Sequence, residues 1–166
     1  IVKRKINKLM LKKNIFIFFL IFFIFLLDRI TKVLVIFKAR ELNETEIFSS
    51  NFINFHLIWN EGIAFGLFSF NDSVIYQIIT LIIILVISLL IVFMVRSNNL
   101  SEKFAFTFII GGAIGNLFDR VYFNAVPDFI DLHWNNFHWF IFNIADIFIT
   151  IGVIWLILIE IIKKKS

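Results

Sequence analysis

Aspartates within or beside long apolar segments are the residues best suited to chemistry in this chain. They are Asp28, Asp119, Asp128, Asp131 and Asp146. A carboxylate in hydrocarbon costs at least about 2.5 kcal/mol, and more when it has no partner. Because nothing structural requires several such groups, their presence is the first argument for a function.

Three short segments surround most of these aspartates with small or polar residues. The segments are 111–120 (Gly-Gly-Ala-Ile-Gly-Asn-Leu-Phe-Asp-Arg), 126–131 (Val-Pro-Asp-Phe-Ile-Asp) and 142–146 (Phe-Asn-Ile-Ala-Asp). Asp128 and Asp146 have no obvious cationic neighbour in the sequence, and two carboxylates brought close together share a proton. Such a pair can activate a water and protonate a substrate, as in aspartic peptidases. From the spacing alone, a proton or ion relay through a transporter is an equally open interpretation.

Composition indicates an integral membrane protein. The chain has 166 residues, of which 60% are hydrophobic, and its mean hydropathy is +0.94, whereas soluble domains are about 45–50% apolar. The absence of Cys excludes disulfides, thiolate metal sites and a Cys nucleophile. The three His residues have no metal-ligand spacing in the sequence, and the net charge of +4 relates to topology rather than to nucleic acid. We therefore expect one domain over residues 1–166, without a metal or a nucleic-acid partner.

Four apolar runs are long enough to cross a bilayer, which needs about 20 helical residues. They cover about 14–37, 73–95, 104–123 and 139–162. Most Lys and Arg residues precede the first run, follow the fourth, or lie between the second and third, so the positive-inside rule places both termini in the cytoplasm. The first run could instead be a secretory signal peptide, but it is too long, contains Asp28 and lacks a following small-residue cleavage site.

The first outer loop, about 38–72, carries a strand signal. Residues 53–59 (Ile-Asn-Phe-His-Leu-Ile-Trp) partly alternate and are rich in strand formers, and Glu61, Gly62 and Gly66 supply turns. The predicted fold class is therefore an all-α integral membrane protein with four transmembrane helices and a small extracytoplasmic sheet in this loop.

Helix direction brings distant polar residues to one depth in the membrane. The residues expected near the outer ends of the helices, or in the outer connection, are Asp28, Lys32, Asn116, Asp119, Arg120, Asp128, Asn143 and Asp146. This convergence predicts a single polar site near the outer interface. Three asparagines could instead merely satisfy buried backbone groups: Asn60, Asn116 and Asn143.

Other polar residues have expected structural roles. Asp28 and Lys32 are four residues apart on one helix face, a spacing that suits an ion pair. Asp119 and Arg120 diverge by about 100° on a helix and should have different partners, with Arg120 anchoring a carboxylate or a backbone carbonyl. Asp131 is expected in solvent. Close helix packing is expected at Gly111, Gly112 and Gly115.

At these residues the chain resembles the bacterial lipoprotein signal peptidases, also called signal peptidase II, over nearly its whole length. The shared features include four spans with cytoplasmic ends, and Asp28 with Lys32. The shared motifs are residues 60–65 (Asn-Glu-Gly-Ile-Ala-Phe), 115–120, 128–130 and 142–146. The departures are Ile63, where a small residue is common, and Pro127, where an aliphatic residue is usual.

The resemblance implies an aspartic endopeptidase that removes the signal peptide from diacylglyceryl-modified prolipoproteins, cleaving just before the lipidated cysteine. It implies no metal or cofactor, and it makes Asp128 and Asp146 the catalytic dyad. The residues implied to bind substrate or to support the dyad are Asn60, Gly62, Asn116, Arg120, Asn143, Asp28, Lys32 and Asp119.

The resemblance also implies partners and a location. The partners are the prolipoproteins, membrane lipid and a globomycin-type cyclic peptide inhibitor. The location is the bacterial cytoplasmic (inner) membrane, crossed several times, with the active site near its outer face and a small β-cradle in the first outer loop. The alternative class is a small ion or proton carrier, or a scaffold that pairs helices through buried carboxylates. The lack of inverted repeats argues against a transporter.

Overall fold

The computed structural model describes residues 2–62 and 73–165, and this part of the chain forms helices and an antiparallel sheet. The elements in chain order are α1 (Val2–Leu42), β1 (Glu46–Phe48), β2 (Ile53–Asn60), α2 (Ser73–Arg96), α3 (Leu100–Phe123), β3 (Val126–Trp134), β4 (Phe137–His138) and α4 (Ile144–Lys165). Residues 63–65 of the first-loop motif, and the turn expected at Gly66, lie outside the described residues.

Three helices in the described part of the chain are long and apolar enough to cross a membrane. They cover Tyr76–Arg96, Leu100–Phe123 and Ile144–Lys164. The other span expected from the sequence, 14–37, lies inside α1, whose 41 residues measure about 60 Å. That this segment crosses a membrane, and that both termini are cytoplasmic, stay predictions.

Helix α1 ends at a hydrogen-bonded turn, after which the chain enters the sheet. Asn43 has a φ of 55°, in the left-handed region. The Glu44 amide donates to the Ala39 carbonyl (3.2 Å), and the Asn43 amide donates to the Arg40 carbonyl (3.3 Å). These two bonds form a Schellman motif, which satisfies the last carbonyls of the helix and ends it sharply.

The central helix of the fold is α3, because it packs against α1, α2 and α4. The expected role of its glycines is confirmed. A Cβ on Gly112 would lie 2.4 Å from the Ala145 carbonyl oxygen, and one on Gly115 would lie 2.6 Å from the Asp28 carboxylate. Glycine therefore lets α1 and the start of α4 approach α3 more closely than any side chain would permit.

The sheet has the order β1-β2-β3-β4, with every neighbouring pair antiparallel. The strand predicted over residues 53–59 is confirmed as β2. The sheet is larger than expected, however, because β3 comes from the connection after α3 and pairs along β2, from Ile53 opposite Leu132 to Asn60 opposite Val126. This long-range pairing places the 126–131 motif next to the end of β2.

The fourth apolar run was predicted to begin at about residue 139, but its helix begins only at Ile144. The residues before it are extended because Phe142 pairs with β3. The Phe142 amide donates to the Ile130 carbonyl (3.1 Å), and the Phe142 carbonyl accepts from the amides of Phe129 (3.0 Å) and Ile130 (2.8 Å). This bridge brings Asp128 on β3 beside the first turn of α4.

Candidate active site

A cavity of about 280 Å³ lies between α2, α3, α4 and the ends of β2 and β3. Six residues that the sequence predicted for the site line it: Asn60, Asn116, Arg120, Asp128, Asn143 and Asp146. The rest of the wall was not predicted and is formed by Ile83, Ala113, Val126, Ile149 and Thr150. The predicted convergence of residues from distant parts of the chain is therefore confirmed.

The Asp128 carboxyl is almost fully buried and is held by two side-chain amides. Its Oδ2 accepts from Asn60 Nδ2 at 2.9 Å, and its Oδ1 accepts from Asn143 Nδ2 at 2.6 Å. Burial raises the pKa of Asp128 to about 6, and the nearby charge of Asp146 acts in the same direction, whereas the two amide donors act against it. Asp128 can therefore carry a proton close to neutral pH.

Asp146 is fixed by the start of its own helix. The Asp146 amide donates to Asn143 Oδ1 (3.1 Å), and the Asn143 amide donates to Asp146 Oδ2 (3.1 Å). This reciprocal arrangement is a capping box, which satisfies free amides at a helix N-terminus. The other oxygen, Oδ1, accepts from Asn116 Nδ2 at 2.8 Å. Asn143 therefore contacts both carboxylates of the pair and holds them at a common site.

Beside this pair lies a buried ion cluster. The predicted ion pair between Lys32 and Asp28 is confirmed, with Nζ 3.0 Å from Oδ2, and Lys32 Nζ also lies 2.7 Å from Asp119 Oδ2. Arg29 Nη1 lies 2.5 Å from Asp119 Oδ1, and its guanidinium stacks over the Phe118 ring at 5.0 Å. Two carboxylates thus meet two cations in a nearly water-free setting.

Sequence reasoning missed Arg29, although a signal was present. Burying both Asp28 and Asp119 with Lys32 alone would leave one negative charge uncompensated, and an uncompensated buried charge is costly. Arg29 follows Asp28 directly in the sequence and is only 12% exposed in its side chain. Counting the positive and negative charges of the predicted site would have shown that a second cation was needed, and Arg29 is the nearest one in the sequence.

Two contacts connect the ion cluster to the carboxylate pair. Asn116 Oδ1 accepts from Lys32 Nζ at 2.9 Å, while Asn116 Nδ2 donates to Asp146. Asp28 Oδ1 accepts from the Ala145 amide at 3.1 Å, in the first turn of α4. The cluster therefore orients Asn116 and fixes the helix end that carries Asp146.

Arg120 anchors the end of β2 at the mouth of the cavity. Its Nη2 donates to the Gly62 carbonyl at 2.9 Å, which confirms one of its two expected partners, and Asp119 and Arg120 do have different partners. The Gly62 amide in turn donates to Asn60 Oδ1 at 3.0 Å. Asn60, Gly62 and Arg120 therefore form one unit that holds the donor amide of Asn60 against Asp128.

The expectation that Asp131 lies in solvent was wrong. This residue is 5% exposed. Its Oδ2 lies 2.9 Å from His138 Nδ1 and accepts from Asn54 Nδ2 at 3.3 Å. The burial results from the β2–β3 pairing, in which Asp131 is opposite Asn54. Asp131 does not line the cavity that contains Asp128 and Asp146.

Comparison with known proteins identifies the family of this site. The family model described as Signal peptidase (SPase) II matches residues 20–162. The chain belongs to the signal peptidase II family. The lipoprotein signal peptidase of Pelagibacter ubique (strain HTCC1062) is 48% identical over 162 residues, which cover 96% of this chain and 97% of that protein. The lipoprotein signal peptidase of Anaplasma phagocytophilum (strain HZ) is 39% identical over 117 residues, 69% of this chain and 73% of that protein.

A solved structure has the same fold. A bacterial membrane enzyme, determined by the in meso method at 2.3 Å resolution, is 31% identical and superposes with a TM-score of 0.71. The match covers 90% of this chain and 89% of that chain. The fold described above is therefore that of a membrane enzyme, and its cavity is lined by described residues of the motifs that suggested the signal peptidase II family, among them Asn60, Asn116, Asp128 and Asn143.

Proposed function

We propose that this chain is an aspartic endopeptidase that removes the signal peptide from diacylglyceryl-modified prolipoproteins, cleaving just before the lipidated cysteine. The observation that carries the proposal is that Asp128 and Asp146 line one cavity and are both held by Asn143. Membership of the signal peptidase II family supports the reaction class.

In the proposed mechanism the two carboxyls act as a coupled pair. Asp146 takes a proton from a water molecule, whose oxygen attacks the scissile carbonyl carbon, while protonated Asp128 donates to the carbonyl oxygen. The proton held by Asp146 then passes to the leaving amine as the C–N bond breaks, and one hydroxyl of the tetrahedral intermediate returns a proton to Asp128 as the new carboxyl group forms. The products are a carboxyl terminus on the signal peptide and a free amino group on the lipidated cysteine. The raised pKa of Asp128 supports its role as the proton donor near neutral pH.

The amides around the pair would position it rather than react. Asn60, Asn116 and Asn143 supply neutral donors that hold the carboxyl oxygens, and the charge of Lys32 is connected to Asp146 only through Asn116. Arg120 would bind substrate backbone or hold the end of β2, where it already contacts the Gly62 carbonyl. Asp28, Lys32 and Asp119 would support the site through Asn116 and the start of α4.

The lipid on the substrate explains why the site would lie at the edge of a membrane. Many large apolar side chains of the helices are exposed, among them Leu81, Leu85 and Ile154. Such surfaces can hold acyl chains, at about 0.8 kcal/mol per buried CH₂. We place the enzyme in the bacterial cytoplasmic membrane with the cavity near the outer face, where a diacylglyceryl group anchored in the outer leaflet would reach it. A globomycin-type cyclic peptide would inhibit it by occupying the same cavity.

A cleavage assay with matched substrates tests the proposal. Purified enzyme in detergent is given one prolipoprotein in two forms, with the cysteine diacylglyceryl-modified or with a free thiol, and Asp146→Asn serves as the inactive control. We expect cleavage of the lipidated form, little or none of the unmodified form, and none by the control. Equal cleavage of both forms would show that the site reads peptide sequence alone, and cleavage of neither would refute the proposal.

A further inference from the structure

A second cluster of ligand-type side chains lies on the hairpin formed by β3 and β4. Asp131, His133 and His138 each offer one oxygen or nitrogen atom, and these atoms all lie within 4.8 Å of one another. Asp131 and His133 are two residues apart on β3, and His133 is directly opposite His138. Because residues two apart on a strand, and residues opposite each other, share a face of the sheet, the pairing itself brings the three side chains together.

Two buried polar atoms in this cluster lack a hydrogen-bond partner among the described residues. They are Asp131 Oδ1 and His133 Nδ1. Leaving a buried donor or acceptor unsatisfied costs about 1–3 kcal/mol, and such atoms in native proteins usually have an explanation. The Asp131 side chain is only 8% exposed, so bulk water does not readily reach it. A bound cation at this position would satisfy a carboxylate oxygen and an imidazole nitrogen together.

We propose that Asp131, His133 and His138 bind a divalent transition metal ion, with Zn²⁺ as the best fit. Zn²⁺ takes imidazole nitrogen at about 2.0–2.1 Å and carboxylate oxygen at about 2.0–2.2 Å, and three protein ligands with a water in the fourth position is a coordination known from catalytic zinc sites. Ligand atoms around a tetrahedral ion lie roughly 3.3 Å apart, so the cluster must contract slightly on binding. His138 is 53% exposed in its side chain and can turn to make this adjustment.

The two imidazole rings already have an arrangement that favours joint binding. Their centroids lie 5.0 Å apart at an interplanar angle of 17°. Asn135, in the turn between the strands, has a φ of 53°, in the left-handed region that Asn adopts more readily than most residues. The hairpin therefore holds the rings side by side before any metal arrives, and the ion would connect β3 to β4.

This site is separate from the proposed peptidase chemistry. The partners of Asp131 are Asn54 and His138, whereas those of Asp128 are Asn60 and Asn143. None of the three ligands lines the cavity that contains the aspartate pair. The metal would act on the hairpin: β3 carries Asp128 three residues before Asp131, so an ion here would stiffen the strand that positions that carboxyl. The inference does not depend on the proposed function.

The test uses the full chain, purified in detergent with an affinity tag that contains no histidine. Zn²⁺ binding is measured by calorimetry and by the shift in thermal unfolding, and Co²⁺ is added as a spectroscopic probe because its visible absorption reports tetrahedral coordination. His138→Gln is the main variant, since its side chain is 53% exposed and the substitution leaves no buried cavity. His56→Gln is the matched control, because His56 lies on β2 and contacts Thr45 instead of the cluster.

We expect one equivalent of Zn²⁺ to bind and to raise the unfolding temperature, with a tetrahedral Co²⁺ spectrum. His138→Gln should weaken binding by at least about tenfold, because loss of even an outer-shell partner costs that much, while His56→Gln should bind as the native chain does. The proposal would be overturned by the absence of one-equivalent binding. Affinity unchanged in His138→Gln, or lost in His56→Gln, would overturn it equally.

Discussion

Two pairs of aspartates lie side by side in this protein, and their partners differ in kind. Asp28 and Asp119 are held by the cations Lys32 and Arg29. The other pair, Asp128 and Asp146, is held by side-chain and backbone amides. Among the described residues, no lysine or arginine forms an ion pair with either member of this second pair.

The difference in partners separates two uses of a carboxylate. A carboxylate next to a fixed cation is stabilised as an anion and serves to hold neighbouring helices in register. A carboxylate held by neutral amides keeps its orientation, and at Asp128 burial and the nearby charge of Asp146 raise the pKa in spite of the two amide donors. Burial alone therefore does not mark a catalytic aspartate in a membrane, and the charge of its partners must be considered as well.

The largest effect is expected from removing either carboxylate of the amide-held pair. Asp128→Asn and Asp146→Asn should each lower cleavage of lipidated prolipoprotein by at least about a thousandfold, because general acid–base groups contribute about 10²–10⁴-fold and here the pair acts together. The folded protein should still accumulate in the membrane. Cleavage per folded molecule is measured on gels.

The control for this experiment is Glu102→Gln, which removes another carboxylate of α3. Glu102 lies in the first turn of that helix and pairs with Lys163, away from the cavity. Normal cleavage by Asp128→Asn or by Asp146→Asn would show that the amide-held pair is not catalytic.

A smaller and different effect is expected from the cation-held pair. Asp28→Ala leaves Lys32 with one carboxylate and frees the Ala145 amide, and breaking a buried ion pair costs about 3–5 kcal/mol. We expect a lower folded yield and a lower unfolding temperature in detergent, with the remaining folded molecules still able to cleave. Full yield with zero activity would instead assign Asp28 to the reacting groups.

The smallest effect is expected from a substitution that separates the helices around the ion cluster. Gly115→Ala places a methyl group 2.6 Å from the Asp28 carboxylate, so α1 or α3 must move. Overpacking of this kind costs about 1–3 kcal/mol. Thermal unfolding should show the loss. Unchanged stability of Gly115→Ala would mean that the helices separate here without cost.

Much of this arrangement could be predicted from the sequence because the signals are local or depend on helix direction. Apolar length and charge bias were enough to bring the motif residues around Asn116, Asp128 and Asp146 to one site. What was missed depends on pairing between distant segments. The extent of the sheet, the late start of α4 and the burial of Asp131 all follow from β3 pairing with β2 and with Phe142, and no periodicity within β3 indicates which partner it will have.

Infrared difference spectroscopy shows whether Asp128, in the amide-held pair, carries a titratable proton. Because the pKa of Asp128 is raised to about 6, its carboxyl should be protonated at about pH 5 and ionised at about pH 8. We expect a protonated-carboxyl band that disappears over this range and is absent from Asp128→Asn. The band should titrate at lower pH in Asp146→Asn, since the charge of Asp146 raises the pKa of Asp128. A band that persists in Asp128→Asn, or that titrates unchanged in Asp146→Asn, would contradict this assignment.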